Sequence, residues 1–264
     1  MRLRWQFAVI IALLGCHPIF SQATAQPRGF LSINGRVRIN NKPQPLKLKR
    51  FYLFAGGLAE NKALIDRIKA ADPVSRDCYY CSLKVSSQFM DWLNGGDGPC
   101  ESPYCREITD EDAAKVPEFK AAVQKGAVQF KKKPVIAKRW LVTSLDKALS
   151  SGFFDTQKKL LDSIMTGYRP IQTTVTDNSN GAAALFSNIP LDSDTEGKKF
   201  TYSNVLPIEV GQKSYVWICE VDITAKKTLK TPFLEIPDAS KTVKNCDIVV
   251  RDVKTCTAGT CAQK

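Results

Sequence analysis

The chain is almost without histidine: His17 is the only one in 264 residues. It also has no apolar run long enough to cross a membrane as a helix. Its longest candidate, from Phe7 to Leu14, falls well short of the roughly 20 residues a bilayer requires. Acidic residues are scarce relative to basic ones, 26 Asp and Glu against 38 Lys and Arg. Each shortage excludes something. If the first 25 residues are removed, no imidazole remains, so Ser–His–Asp and Cys–His catalysis, histidine metal ligation and imidazole general-base chemistry are all excluded. A c-type haem attachment is excluded too, because Cys81 is followed by Ser82.

What is present begins with export. Arg2 and Arg4 precede the short apolar run, and small residues follow it, which is the pattern of a secretory signal. Two processing sites compete. Cleavage after Ala23-Thr24-Ala25 leaves a chain starting at Gln26, whereas Leu13-Leu14-Gly15-Cys16 resembles a lipobox that would leave Cys16 acylated. The expected location is therefore periplasmic or extracellular, with an outer-membrane lipoprotein as the alternative. No transmembrane span is expected.

Eight further cysteines fit that compartment: Cys78, Cys81, Cys100, Cys105, Cys219, Cys246, Cys256 and Cys261. An even set in an exported chain reads first as disulfides. Sequence proximity suggests Cys256 with Cys261. Cys219 and Cys246, each in a strand-like run, suggest a staple between strands, and the other four are expected to pair among themselves. The spacing Cys78-Tyr-Tyr-Cys81 is also that of a redox dithiol. With Cys100 and Cys105 it could supply four thiolates to zinc, although an oxidising compartment disfavours this. No cofactor or metal is expected.

The net charge is +12, and without Arg2 and Arg4 it is +10 on the chain from Gln26. Outside the cytoplasm such an excess favours anionic headgroups or glycans over nucleic acid. The densest basic cluster is Lys131, Lys132 and Lys133, with Lys138 and Arg139 close behind. It reads either as an anion-binding patch or as a solvated helix end. Glu209, Glu220 and Asp222 are acids that a hydrolase could use, but surface acids are the ordinary explanation. Trp92, Trp140 and Trp217 lie in periodic segments and are expected in the core.

Periodicity divides the chain into β, α and β stretches. From Gly29 to Phe54, Val37 and Ile39 alternate with Arg36 and Arg38. After the turn-rich "NNKPQP", Leu46 and Leu48 alternate with Lys47 and Lys49. Two half-buried strands are predicted. Beyond Gly56-Gly57 the period becomes helical. Leu58, Leu64, Ile65 and Ile68 share a face, a Thr/Asp cap precedes "EDAAK", and Pro117 opens a new helix. Four or five helices are expected to Tyr168. From Ile171 to Val253 alternation returns in five short runs. The expected organisation is 1–25 signal peptide, 26–56 first β part, 57–169 helical segment, 170–254 second β part and 255–264 tail.

The stretch "TTVTDNSNGAAALFSNIP", 173–190, reads as a hairpin turning at Asn180-Gly181, with Phe186 as a core anchor. Its T-D-x-x-x-G…F-x-N-I-P pattern resembles the central hairpin of carboxypeptidase regulatory-like domains. Gly35-Arg36-Val37 with Asn40-Asn41-Lys42-Pro43, then Leu46 to Phe54, is similar to that family's opening. Gly211 to Ile218 is similar to its later glycine-then-tyrosine strand. The resemblance implies an α+β chain: an antiparallel transthyretin-like β-sandwich interrupted by a disulfide-containing α-helical subdomain. It also implies a non-catalytic binding or structural module of the bacterial cell envelope, with another envelope protein or an anionic glycan as partner. An envelope hydrolase or thiol-redox enzyme, with its site between sandwich and helices, is the competing expectation.

Overall fold

The structure is a computed structural model, and it describes residues 26–39, 42–95, 100–129, 141–179, 182–192, 197–225, 228–234, 245–254 and 256. The basic cluster at 131–139, Trp140, Cys16 and Cys261 lie outside them, as do the expected signal segment and both candidate processing sites.

Three strands come first: β1 (Arg28–Ile39), β2 (Lys42–Pro45) and β3 (Arg50–Ala55). Along β1, Leu31, Ile33, Gly35 and Val37 are buried in alternation, as period two requires. The break between the predicted strands falls elsewhere than expected. Lys42–Pro45, read as a turn, pairs with β1 (Arg36↔Pro45, Ile39↔Lys42). Lys47 and Leu48, read as strand, form the turn instead. Leu48 is 64% exposed and its φ is +55°, so its alternation with the lysines has no pleat behind it.

Helices follow without an intervening strand among the described residues: α1 (Lys62–Ala70), α2 (Arg76–Ser82), α3 (Ser87–Asn94), α4 (Asp110–Lys115), α5 (Pro117–Gln129), α6 (Leu141–Ser144), α7 (Lys147–Ser150) and α8 (Gly152–Met165). Local chemistry sets several boundaries. Thr109 and Asp112 form a reciprocal capping box, Pro117 opens α5, and Ser75 and Ser86 cap α2 and α3. Helix α2 carries both cysteines of Cys78-x-x-Cys81 and was not anticipated, because seven residues of mixed polarity show no periodicity.

Seven strands complete the chain: β4 (Gln172–Val175), β5 (Ala183–Pro190), β6 (Lys198–Ser203), β7 (Ile208–Val210), β8 (Lys213–Ile223), β9 (Thr228–Leu234) and β10 (Cys246–Asp252). One sheet has the order β2-β1-β5, with β9 also on β1. The other runs β10-β8-β6-β3-β4, with β7 on β8. Pairing is antiparallel except for β9, which runs parallel to β1 and was not foreseen. Strands from both sides of the helical stretch are neighbours. Strand β3 pairs with β4 and β6, and β1 pairs with β5.

The predicted hairpin at 173–190 is a different object. Strand β4 belongs to one sheet and β5 to the other, so the turn between them crosses from sheet to sheet. Thr176 explains the divergence. Its N–H donates to the Lys49 carbonyl (2.9 Å), its carbonyl accepts from Leu48 N–H (3.2 Å), and its hydroxyl donates to the Leu46 carbonyl. Its backbone groups are committed to the Leu46–Lys49 turn and are not free for β5. Gly35 allows the crossing to close, since its N–H donates to the Ala182 carbonyl, and a Cβ there would stand 2.2 Å from that oxygen.

The two sheets share one core, which includes Leu31, Ile33, Phe51, Leu53, Phe186, Phe200 and Trp217. A second core joins the opposite face of the larger sheet (Tyr52, Phe54, Val216, Ile218) to Leu64, Ile65, Ile68 and Ile164 of α1 and α8. Each such side chain contributes about 1.5–3 kcal/mol of burial, before the entropy of ordering it is counted. A third core, with Tyr80, Phe89, Trp92 and Phe119, lies wholly within the helical part. The chain is thus α+β, with predominantly antiparallel sheets, helices and disulfide-bonded cysteines.

Candidate functional site

Between the larger sheet and the helical part lies a cleft of about 750 Å³. One wall is formed by Leu48 to Arg50, Val175 and the segment from Asn204 to Glu209. The opposite wall is Asp72 to Arg76, Glu101 and the outer face of α8 around Phe154, Gln157 and Leu161. The C-terminal residues Arg251 to Lys254 close one end.

The walls are tied together. Cys78 on α2 is disulfide-bonded to Cys256 beyond β10, a link across 178 residues. Beside it, Ser75 donates to the Lys254 carbonyl (2.6 Å), and Lys254 pairs with Asp72 (2.9 Å). Arg251 donates to the carbonyls of Ile68 and Lys69 at the C-terminal end of α1 (3.0 and 2.9 Å). Across the other end, Lys49 pairs with Glu101 (2.6 Å). The cleft is therefore held open by covalent and ionic bridges, as a preformed binding site requires.

The disulfides correct two sequence expectations. Cys256 bonds Cys78 and not its near neighbour Cys261, and the four central cysteines do not pair solely with one another. Proximity in sequence misleads because docking of α2 against the end of β10 brings Cys78 and Cys256 within 4.9 Å, Cα to Cα. Cys100 bonds Cys105, and Cys219 bonds Cys246 directly across the β8–β10 ladder. Cys81 is disulfide-bonded too. Cys78 and Cys81 are thus not each other's partner, so this pair is not a redox dithiol. Nor do these cysteines gather as four thiolates, and among the described residues no group of His, Cys, Asp and Glu is placed to hold a metal.

The cleft collects apolar side chains that water touches. Leu48, Val74, Phe154 and Val175 are all exposed, and all line it. Its charges are matched in number, Lys49, Arg50, Arg76, Lys158, Arg251 and Lys254 facing Asp72, Glu101, Asp155, Asp162, Glu209 and Asp252. The positive excess of the chain is not expressed here. Buried Arg76 is spent on structure, since its guanidinium bonds Asp77, the Cys100 carbonyl (2.9 Å) and Asn94.

Glu209 differs from the other acids of the cleft in how tightly it holds its proton. Like Asp162, it has no ion pair among the described residues. Its carboxyl is pushed above the ordinary range by burial, with Asp77 and Glu101 acting in the same direction against Arg76 and Lys49. Water still reaches it through the cleft, but the concave walls remove much of the solvent around it. Glu220 lies elsewhere and is structural. Held low by its bond from Lys199, it also accepts from Leu58 N–H (2.9 Å), where the chain leaves β3 for the helices. Asp222 lines no part of the cleft.

The wall carrying Glu209 depends on Asn204, which is 3% exposed. Strand β6 ends at Ser203, and β7 resumes the ladder against β8 at Ile208. In the interruption the Asn204 side chain replaces the missing backbone. Its Oδ1 accepts from Trp217 N–H (2.8 Å), and its Nδ2 donates to the carbonyls of Tyr215 (3.0 Å) and Leu206 (2.7 Å). Val205, at φ +56°, makes the turn. Asn204 was not found from sequence, and a site between sheet and helices was foreseen only for the competing enzyme reading, without these residues. The sole local signal was the Asn-Val-Leu-Pro break inside an otherwise continuous strand pattern.

Among the described residues no helix is long and apolar enough to cross a membrane. Comparison with protein-family models, with curated proteins and with solved structures finds no match.

Proposed function

We propose that this chain is an exported, non-catalytic binding module of the bacterial cell envelope. In this reading a transthyretin-like sandwich of the carboxypeptidase regulatory-like type is interrupted by a helical insertion, and the cleft between them takes the ligand. The pairing of β3 with β4 and β6 across the helical stretch supports an insertion. Seven described cysteines, Cys78, Cys81, Cys100, Cys105, Cys219, Cys246 and Cys256, are disulfide-bonded, which supports an oxidising compartment. The observation that carries the binding reading is the cleft itself. It has exposed apolar residues on both walls and a covalent bridge at one end, and most of its carboxylates are engaged by neighbouring cations.

Glu209 favours one competing reading, a hydrolase using this carboxyl as a general acid, because its proton is held more tightly than usual. That chemistry needs a second functional carboxylate, and the nearby Glu101 is occupied by Lys49. The binding reading is tested with the neutral apolar fluorophore N-phenyl-1-naphthylamine. Saturable binding is expected, lost in Val175→Arg and kept in Val128→Arg, whose site is 83% exposed on α5 away from the cleft. Binding unaffected by Val175→Arg, or no binding, would overturn it.

A further inference from the structure

Among the described residues the larger sheet leaves one strand position beside the cleft unfilled. Strand β7 pairs with β8 (Ile208↔Tyr215, Glu209↔Ser214, Val210↔Lys213) and has no described strand on its other side. Strand β3, the next one across, reaches β6 only from Tyr52 to Ala55, and its first residues pair with β4 alone. Glu209 and Arg50 therefore stand on two banks of a gap, and both line the cleft.

The direction of their backbone groups follows from strand alternation. Along β8 the Tyr215 carbonyl and the Trp217 N–H meet Asn204 on the β7 side. The Gln212 carbonyl and the Glu220 N–H bond to Val253 and Asn245 on the β10 side. Even-numbered residues of β8 thus face β10. Ser214 is one of them, so its partner Glu209 directs its own N–H and carbonyl away from β8, into the gap. On β3 the Lys49 and Leu53 carbonyls bond to β4-side residues, and Gly56 N–H bonds toward β6. Arg50 has the parity of Gly56, and its backbone groups also face the gap.

Side-chain faces are settled in the same way. Ile208 belongs to the core between the sheets, so Glu209 projects from the opposite face, toward the helical wall. Of the charged groups nearest it, Arg76 pairs with Asp77 and Lys49 with Glu101, so the Glu209 carboxylate has no ion-pair partner among the described residues and can take one from an incoming segment.

The geometry points to a strand-addition site. An extended segment of a partner polypeptide, with the pattern apolar–basic–apolar, lies antiparallel along β7 and completes the sheet. Its central residue exchanges two backbone hydrogen bonds with Glu209 and places a Lys or Arg beside the carboxylate, since directly opposed residues share a face. Its flanking residues turn toward the apolar core between the sheets, and the helical wall with Phe154 covers the segment. This inference rests on the cleft being the binding site and adds the class of partner.

The test uses the full disulfide-bonded chain and the synthetic peptide acetyl-Thr-Val-Lys-Val-Thr-amide, followed by calorimetry and amide chemical shifts. Binding is expected with shifts at Glu209 and Arg50. Methylating the backbone nitrogen of the peptide lysine should weaken it about tenfold or more, because that N–H donates to the Glu209 carbonyl. Replacing the lysine with glutamate, or Glu209→Gln in the protein, should weaken it about fivefold at low salt. Equal affinity of the methylated peptide would overturn strand addition. So would dimerisation of the chain that shuts the peptide out. Absence of peptide binding up to about 1 mM, in a chain that still binds N-phenyl-1-naphthylamine, overturns this inference and leaves the binding cleft standing.

Discussion

Replacing Asn204 with alanine should be among the most damaging single changes outside the aromatic cores. The substitution removes one buried amide that makes three hydrogen bonds, to Trp217 N–H, Tyr215 C=O and Leu206 C=O. It supplies no substitute. Each lost bond is worth roughly 1 kcal/mol net, and leaving the buried Trp217 N–H and Tyr215 C=O without partners adds about 1–3 kcal/mol for at least one of them. The total is about 4 kcal/mol, which for a chain of this size lowers Tm by about 10 °C. Guanidinium unfolding without reductant measures it. The midpoint should fall while the slope is unchanged, because the surface exposed on unfolding is the same. Asn204→Asp sharpens the reasoning. An aspartate can still accept from Trp217 N–H, but its other oxygen would face two carbonyls. It should be as damaging as alanine at neutral pH and recover in acid, where the protonated carboxyl can donate. A raised folded pKa means the penalty is complete above that pKa and is relieved as pH falls below it. A loss under about 1 kcal/mol for Asn204→Ala, or an aspartate variant indifferent to pH, would refute the account of this side chain as the missing piece of the β6–β7 ladder.

Other outcomes follow from the same structure. Replacing Cys78 and Cys256 together by serine should cost up to about 5 kcal/mol, the loop-entropy value for a closure of this length, less what the other disulfides already constrain. The same variant should lose affinity for N-phenyl-1-naphthylamine as the walls separate. Glu209 binds its proton more tightly folded than unfolded, so it makes stability fall as pH rises through the window above 4.5. Glu209→Gln should flatten that part of the pH–stability profile measured by thermal melts. Gly35→Ala should destabilise by about 3 kcal/mol or more, since the new methyl meets the Ala182 carbonyl, which is backbone and cannot rotate aside. If the chain is exported and cleaved after Ala25 as proposed, alkylation without reductant should add no mass to it.

Local physics made much of the outline legible in advance. The capping pair Thr109 and Asp112, the opening proline Pro117, and the face shared by Leu64, Ile65 and Ile68 each act within one or two turns of chain, so those helices could be read from neighbours in sequence, whereas α2 could not. The alternation in β1 and the apolar run of β8, buried on both faces, were equally local. The order β, α, β therefore belonged to the sequence, and the cysteine parity with it.

Long-range partners decided the rest. Thr176 gives its backbone to Leu48 and Lys49 and its hydroxyl to Leu46, all from the first half of the chain, which splits an apparent hairpin between two sheets. Cys256 ignores a cysteine five residues away for one 178 residues distant, because docking of α2 sets the distance that a disulfide needs. The cleft, the open side of β7 among the described residues and the raised proton affinity of Glu209 arise where elements from both halves of the chain meet. Hydrophobic period and turn chemistry describe a residue's own segment. Which segment it faces is decided only when the packed core selects one arrangement among many.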